Sequence, residues 1–421
     1  MRRALRGFPR VVWLLGLASL LNDVSSEAIF PLLPLFLASL PGGGAEVLGL
    51  VEGAADAVAS AMKLVSGRIS DRGPRRLLVV SGYAVPALAR TGIAFAVLPW
   101  HVLAARLVDR AGKGVRTDAL LADAARADDV GRAFGLQRSM DHLGAAVGPL
   151  LAFGLLAAGA SVRTTFLAAA VAGLAAPAVL AWRLRDPGRE PRGASNPGAT
   201  VRGADPPEAS GVDPAEASRT GLAPPAGPGA AAAPTRRLPP AFWYYLALAT
   251  LFALGNSTDA FLILKARAVG FSAAAVPLLW FAHHLVKTAA GVPGGALSDR
   301  VPRGAIVAAG WGAYALAYAG FALAAERWQV AALFLFYALY RGLAEGAERA
   351  LVADLAGPGA RGRAFGRYHG VIGAAALPAG LLTGELWTRV GPAVALGTCA
   401  ALAASAALLL AVNPRVLRGA R

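Results

Sequence analysis

The chain has 421 residues, of which 56% are hydrophobic and 16% charged, with a mean hydropathy of +0.53; soluble domains carry nearer a quarter charged residues. The net charge of +16 is almost all arginine, the only lysines being Lys63, Lys113, Lys265 and Lys287. The arginines sit at the ends of apolar stretches without interleaved aromatics, which excludes a nucleic-acid-binding stripe, and the single cysteine, Cys399, excludes a disulfide framework or thiolate metal site within the chain.

The N-terminus reads MRRALRGFPR and then turns apolar to about Leu40, with Asn22, Asp23 and Glu27 inside the run. That is too long and too polar for a signal-peptide core, so it reads as a retained first membrane helix. Runs of about 20 apolar residues are long enough to span ~30 Å of hydrocarbon. They fall near 11–38, 46–67, 77–97, 100–122, 132–158 and 162–183, then near 241–264, 272–296, 304–324, 328–352, 364–387 and 391–412. The expected fold is an all-α membrane protein of twelve transmembrane helices in two six-helix bundles.

Basic residues concentrate at the N-terminus, at Arg68, Arg72, Arg75 and Arg76, at Arg126 and Arg132, throughout 183–237, at Arg300 and Arg303, at Arg361 and Arg363, and in the tail. The segments 41–46 and 98–101 carry none, while Lys265 and Arg267 are an exception to the alternation. The pattern puts every even-numbered connection and both termini in the cytoplasm. The stretch 187–240, dense in Pro, Gly, Ala and Ser, reads as a disordered cytoplasmic linker between halves 1–186 and 241–421.

The halves repeat each other. ALLADAARADDVGRAFG at 119–135 aligns without gaps on ALVADLAGPGARGRAFG at 350–366, an offset of 231 residues. GRISDRGPRR at 67–76 pairs with GALSDRVPRG at 295–304, and Asn22 falls near Asn256. Internal duplication around a long linker is the signature of a transporter with its binding site between the repeats.

Three motifs resemble those of the major facilitator superfamily, and the resemblance covers the chain outside the linker. Gly67, Asp71, Arg72, Arg75 and Arg76 match its loop signature after the second helix, with Pro74 where Gly is usual. Gly295, Asp299 and Arg300 form the second copy. Asp71 with its arginines would act as a gating latch between the halves. In the fourth segment, Arg106, Gly112 and Gly114 match a family pattern, with Asp109 and Arg110 replacing its Gln and Gly. In the fifth, Gly135, Gly144, Gly148 and Pro149 fit an antiporter-like motif that the resemblance associates with proton-exchanging exporters, although Ala152 and Phe153 replace its final glycines. Small-residue packing is the alternative use of those glycines.

In this superfamily helices 1, 4, 7 and 10 line the cavity, and charge is concentrated on the matching segments. Ionisable residues there are costly unless they face a cavity or one another. The candidate substrate and proton cavity therefore comprises Asn22, Asp23, Glu27, Arg106, Asp109, Arg110, Lys113, Asn256, Asp259, Arg341 and Glu345. Asp23 and Glu27 share a face, Arg106 to Lys113 forms one stripe, and Arg341 matches Arg110 at the 231-residue offset. Glu52 with Asp56, Arg138 with Asp141 and His142, and His283 with His284 and Lys287 are weaker groups; the paired histidines suggest a metal site or a proton relay, against which adjacent residues point to different helix faces, and no metal is expected.

No Walker loop, catalytic triad or HExxH is present, so the expectation is a transporter and no enzyme, without cofactor beyond a proton gradient. The expected function is secondary transport of a small solute across the bacterial inner membrane by alternating access, as proton-coupled efflux by a monomer in lipid, with organic-anion transport as the alternative. A membrane-embedded enzyme or a sensor has no supporting constellation.

Overall fold

The computed structural model describes residues 8–70, 75–113, 130–184, 237–357 and 359–413. The side chains of 63–70, 75, 113, 130–132, 134–135, 292, 295–296 and 298–299 lie outside the described part. The linker reading for 187–240 falls almost wholly outside the described residues.

Each apolar run read from the sequence lies mainly on helix over its described part, with 114–122 outside the described residues and a break at 256–259. The first is α1 (Arg10–Ile29), a 3-10 turn (Phe30–Leu32) and α2 (Leu33–Ala38). Pro31 and Pro34 lack the N–H a continuous helix would need, which breaks the run there. There follow α3 (Ala45–Ser70), α4 (Arg75–Ile93), α5 (Pro99–Lys113), α6 (Val130–Ala157) and α7 (Val162–Arg183). The second half opens with α8 (Pro240–Gly255) and α9 (Ala260–Ala268), then α10 (Ala275–Arg300), α11 (Arg303–Leu323), α12 (Arg327–Ala356), α13 (Arg361–Arg389) and α14 (Pro392–Ala411). Among the described residues, 8 helical spans are long and apolar enough to cross a membrane, counting α1–α2 and α8–α9 as one span each. The fold is all-α and membrane-embedded, consistent with twelve crossings.

Helix starts are chemically marked. The Ser161 hydroxyl accepts from Thr164 N at 3.1 Å to cap α7. Glu326 and Gln329 form a reciprocal capping box on α12. Positive-φ glycines close equivalent turns of the two halves, Gly42 and Gly270 in one position and Gly159 and Gly391 in another.

The packing also repeats. In the first half α1 packs on α6 and α7, α4 on α5 and α7, and α3 on α5. In the second, α8 packs on α13 and α14, α11 on α12 and α14, and α10 on α12. Two long seams join the halves, α3 against α13 and α6 against α10. At the first, small residues let backbones meet. A Cβ on Gly49 would sit 2.0 Å from Gly380 O, one on Gly380 would sit 2.2 Å from Gly49 O, and one on Gly384 would sit 2.7 Å from Ala45 O. The α13 seam is thus closed from the Ala45 end of α3 past mid-helix, to Ser60, whose side chain a Cβ on Gly373 would strike.

The halves differ inside. The first has two separate apolar clusters, one around Phe36, Ile93 and Phe166 and one around Leu15, Tyr83 and Leu180. Between them lie the buried polar side chains Asn22, Glu52, Arg90, Arg106 and Asp109. The second half has one continuous cluster running from Leu238 to Leu410, rich in tyrosine. Outward-facing side chains are apolar, with Leu323 83% and Val171 70% exposed, as a lipid-facing surface requires.

Candidate functional site

The buried layer of the first half is an ion-pair chain. Arg106 grips Glu52 with two bonds, Nε to Oε1 at 2.9 Å and Nη2 to Oε2 at 2.6 Å. Its Nη1 lies 3.6 Å from Asp109 Oδ2, and Asp109 Oδ1 lies 3.1 Å from Arg90 Nε. Arg90 then donates to Asn22 O at 2.8 Å and to Asn22 Oδ1 at 2.5 Å, and Asn22 donates to Asp23 Oδ1 at 2.9 Å. Two cations and two anions cancel with fork geometry on both arginines, the condition under which buried charge is tolerated. The chain ties α1, α3, α4 and α5 together.

One helical turn along α5, Arg110 faces a cavity of about 230 Å³ between the halves. Its walls include Phe30, Glu52, Gly53, Asp56 and Arg110 from the first half, and Asn256, Ser257, Thr258, Asp259 and Arg341 from the second. Arg110 Nη2 is 3.7 Å from Asp56 Oδ1, a loose pair. In the second half the α8–α9 span is broken at 256–259, which presents four consecutive polar residues to the cavity. The carbonyl freed at Gly255 accepts from Tyr314 Oη at 2.9 Å, so the break leaves that group paired. The Tyr337 hydroxyl donates to Asp259 Oδ1, and the Arg341 guanidinium lies 5.7 Å from the Tyr337 ring centre.

A second contact crosses between the halves beside Phe30. Glu27 Oε2 accepts from Trp280 Nε1 at 3.0 Å and lies 3.5 Å from His284 Nε2. Trp280 packs at 5.0 Å on Phe30 and stacks at 5.1 Å on His283. His283 and His284 therefore diverge, His283 toward Phe334 O and His284 toward Glu27.

Of the expected cavity residues, the structure brings together Arg110, Asn256, Asp259 and Arg341. Arg106 and Asp109 are a correction to that set, being 5% and 0% exposed in the ion-pair chain and outside the cavity wall. Asn22 belongs to the same chain. Asp23 and Glu27 share a helix face but separate in role, Asp23 staying against Asn22 and α6 while Glu27 reaches α10. Glu345 pairs instead with Lys287 at 3.1 Å and Arg349 at 2.7 Å. The partner of Arg110 is Asp56 on α3. The Lys113 side chain lies outside the described residues.

The helix starts refine the repeat. Pro99 and Arg327 begin α5 and α12 and are 228 residues apart, as are Trp100 and Trp328. By that register Arg341 answers to Lys113, and by the flanking GRAFG repeat it answers to Arg110. The two positions are three residues apart, close to one turn, so both arginines reach the same cavity.

Asp71 and Arg72 of the gating signature lie outside the described residues, as do the side chains of Gly67, Arg75, Gly295 and Asp299; Arg300 is exposed at the end of α10. Beside them, Arg303 Nη1 binds both Asp354 oxygens at 2.6 and 2.7 Å, tying α11 to α12. Gly135 lies in the first turns of α6, and its packing is outside the described part. Gly144 and Gly148 seat α6 on α1, where a Cβ on either would lie 2.6 Å from Leu20 O or Val24 O, and Pro149 continues that helix. Arg90 and Trp280 were not anticipated. An arginine inside the apolar run 77–97 was the available signal for Arg90.

The Major Facilitator Superfamily profile matches residues 15–282. The chain belongs to the Major Facilitator Superfamily. It is 27% identical over 416 residues to an uncharacterized MFS-type transporter of Methanocaldococcus jannaschii, covering 96% of this chain and 95% of the relative. An uncharacterized protein of Mycobacterium tuberculosis is 29% identical over 384 residues, covering 90% and 87%. Among solved structures, a peptide transporter POT superposes with a TM-score of 0.73 at 14% identity over 98% of this chain and 96% of that one. The nucleoside transporter NupG gives 0.72 at 12% identity over 96% and 99%. A bacterial homolog of the human lysosomal transporter Spinster, in an inward-facing unoccupied conformation, gives 0.65 at 16% over 96% and 94%. As a superfamily member, this chain is a membrane transporter and not an enzyme.

Proposed function

We propose that the chain moves a small solute outward across a bacterial cytoplasmic membrane in exchange for protons, by rocking of the two halves about the central cavity. The observation that carries the reading is the cross-half carboxylate. Glu27, on the first half, is held by Trp280 and lies beside His284 on the second, so a proton gained or lost there changes a contact between the moving bodies. Outward direction rests on the antiporter-like glycines of α6. Both termini and 187–240 lie in the cytoplasm under this reading. The Gly49–Gly380 seam then closes the outer side and the cavity belongs to an inward-facing state.

Proteoliposomes test the reading directly. An imposed pH gradient should drive solute flux that collapses with a protonophore; flux indifferent to the gradient refutes proton coupling. For orientation, Ser210→Cys should resist an impermeant thiol reagent added to intact cells, and ready labelling would invert the topology.

A further inference from the structure

Arg110 and Arg341 line one cavity, and neither has its donors filled. Arg110 stands 3.7 Å from Asp56, beyond hydrogen-bond length, and its Nε has no hydrogen-bond partner among the described residues. The same holds for the Arg341 Nε. Arg106, on the same helix, shows what a closed pair looks like here, with bonds of 2.6 and 2.9 Å to Glu52. The looseness at Arg110 therefore belongs to the cavity and not to α5 as a whole.

Charge at the cavity is balanced. With Glu52 cancelled by Arg106, the wall presents two guanidiniums, Arg110 and Arg341, and two carboxylates, Asp56 and Asp259. An anionic ligand would fill the guanidiniums and set a further negative charge beside both carboxylates. A cationic ligand would do the reverse. Either leaves a charge uncompensated in a site partly removed from water, which is costly. A ligand of both signs meets all four groups and keeps the cavity neutral. Each half supplies one cation and one anion, so such a ligand engages both halves at once. The volume of about 230 Å³ is below that of drug-sized sites and suits a molecule of amino-acid size. Asn256, Ser257 and Thr258 add neutral donors and acceptors at the wall.

We propose that the cavity takes a small zwitterion, its carboxylate-class oxyanion held between Arg110 and Arg341 and its ammonium group facing Asp56 and Asp259. The inference rests on the reading of this cavity as the transport site, and on neither the coupling ion nor the direction.

The test is equilibrium binding to the full chain in detergent, without any gradient, read by thermal stabilisation and by tryptophan fluorescence. The probes are ω-amino acids from glycine to aminohexanoate and diglycine, each against the length-matched carboxylate (butyrate, hexanoate) and amine (butylamine, hexylamine). At least one zwitterion should bind saturably and about tenfold or more tighter than both of its single-charge analogues. Arg110→Gln and Asp259→Asn should each weaken that binding by a similar factor. Equal binding by an amine or a carboxylate analogue overturns the assignment, as does absence of saturable binding by every zwitterion at millimolar concentration. The analogue comparison uses the unaltered protein, so a variant that fails to fold does not blunt it. Loss of proton-driven flux would refute the coupling reading and leave this result standing; failure of the zwitterions would leave the coupling reading untouched.

Discussion

Arg106 and Arg110 stand one turn apart on α5, and the first is sealed against Glu52 while the second opens to the cavity beside Asp56. The two should respond oppositely to truncation. Arg106→Ala strands Glu52 without its cation, while Asp109 keeps Arg90, and is expected to lower stability by about 3–5 kcal/mol. Arg110→Ala breaks a pair whose side chains are 24% and 49% exposed, and is expected to cost under ~1 kcal/mol while impairing transport. Thermal unfolding in detergent set beside flux per folded molecule checks the contrast; equal destabilisation by the two variants contradicts it.

Glu27→Gln keeps an oxygen for Trp280 Nε1 but removes the titratable group. Gradient-driven accumulation should fall to the level of passive exchange while substrate counterflow survives. Asp23→Asn, whose carboxylate accepts from Asn22 on its own helix and packs against α6, should have the smaller effect on coupling. The measurement is paired flux with and without a pH gradient, and a larger effect at Asp23 would relocate the coupling group.

At the α3–α13 seam, Gly49→Leu cannot be accommodated without separation, because even a Cβ would lie 2.0 Å from Gly380 O. Cysteines placed at Leu48 and Ala260, which share one apolar cluster across the halves, should cross-link in the otherwise unaltered chain and lose that cross-link when Gly49→Leu is added. Cys399 is 2% exposed and should not compete. An undiminished cross-link would mean that the seam tolerates bulk and does not govern closure.

Tyr337→Phe removes the hydroxyl that donates to Asp259 while leaving the ring beneath Arg341. A stability loss of about 0.5–1.5 kcal/mol is expected, together with altered substrate affinity because Asp259 is freed toward the cavity. Unchanged affinity would show that Tyr337 only supports the helix.

The helices, the repeat and the cavity arginines were legible in the sequence, because apolar length and duplicated segments are local patterns. The division of labour among the charges was not. An ionisable residue in a membrane helix must turn inward, and periodicity says on which face it lies. Nothing in periodicity says whether a partner waits there. Arg106 finds Glu52 54 residues away, and Glu27 finds Trp280 253 residues away. The same stripe on α5 thus yields one sealed arginine and one open one, the sealed one meeting a glutamate of α3 and the open one a shorter aspartate. Arg90 escaped because a lone arginine in an apolar run lacks a companion at helical spacing; its companions lie on α1 and α5.

The ionic layer of the first half has a counterpart in the second. At an offset of 228 residues, Glu52, Arg90, Arg106 and Asp109 correspond to Trp280, Tyr318, Phe334 and Tyr337. Four ionic positions in one copy are four aromatic ones in the other, linked through rings 6.0 Å apart at Tyr318 and Tyr337 and 5.5 Å apart at His283 and Tyr337. After duplication the copies were therefore not free to stay alike. A glutamate at the position of Trp280 would confront Glu27 with a second carboxylate where it now receives an indole N–H. Restoring symmetry by grafting the first copy's layer onto the second would bring like charges together at the junction between the halves. The divergence of the two copies is in this sense a condition for their meeting at all.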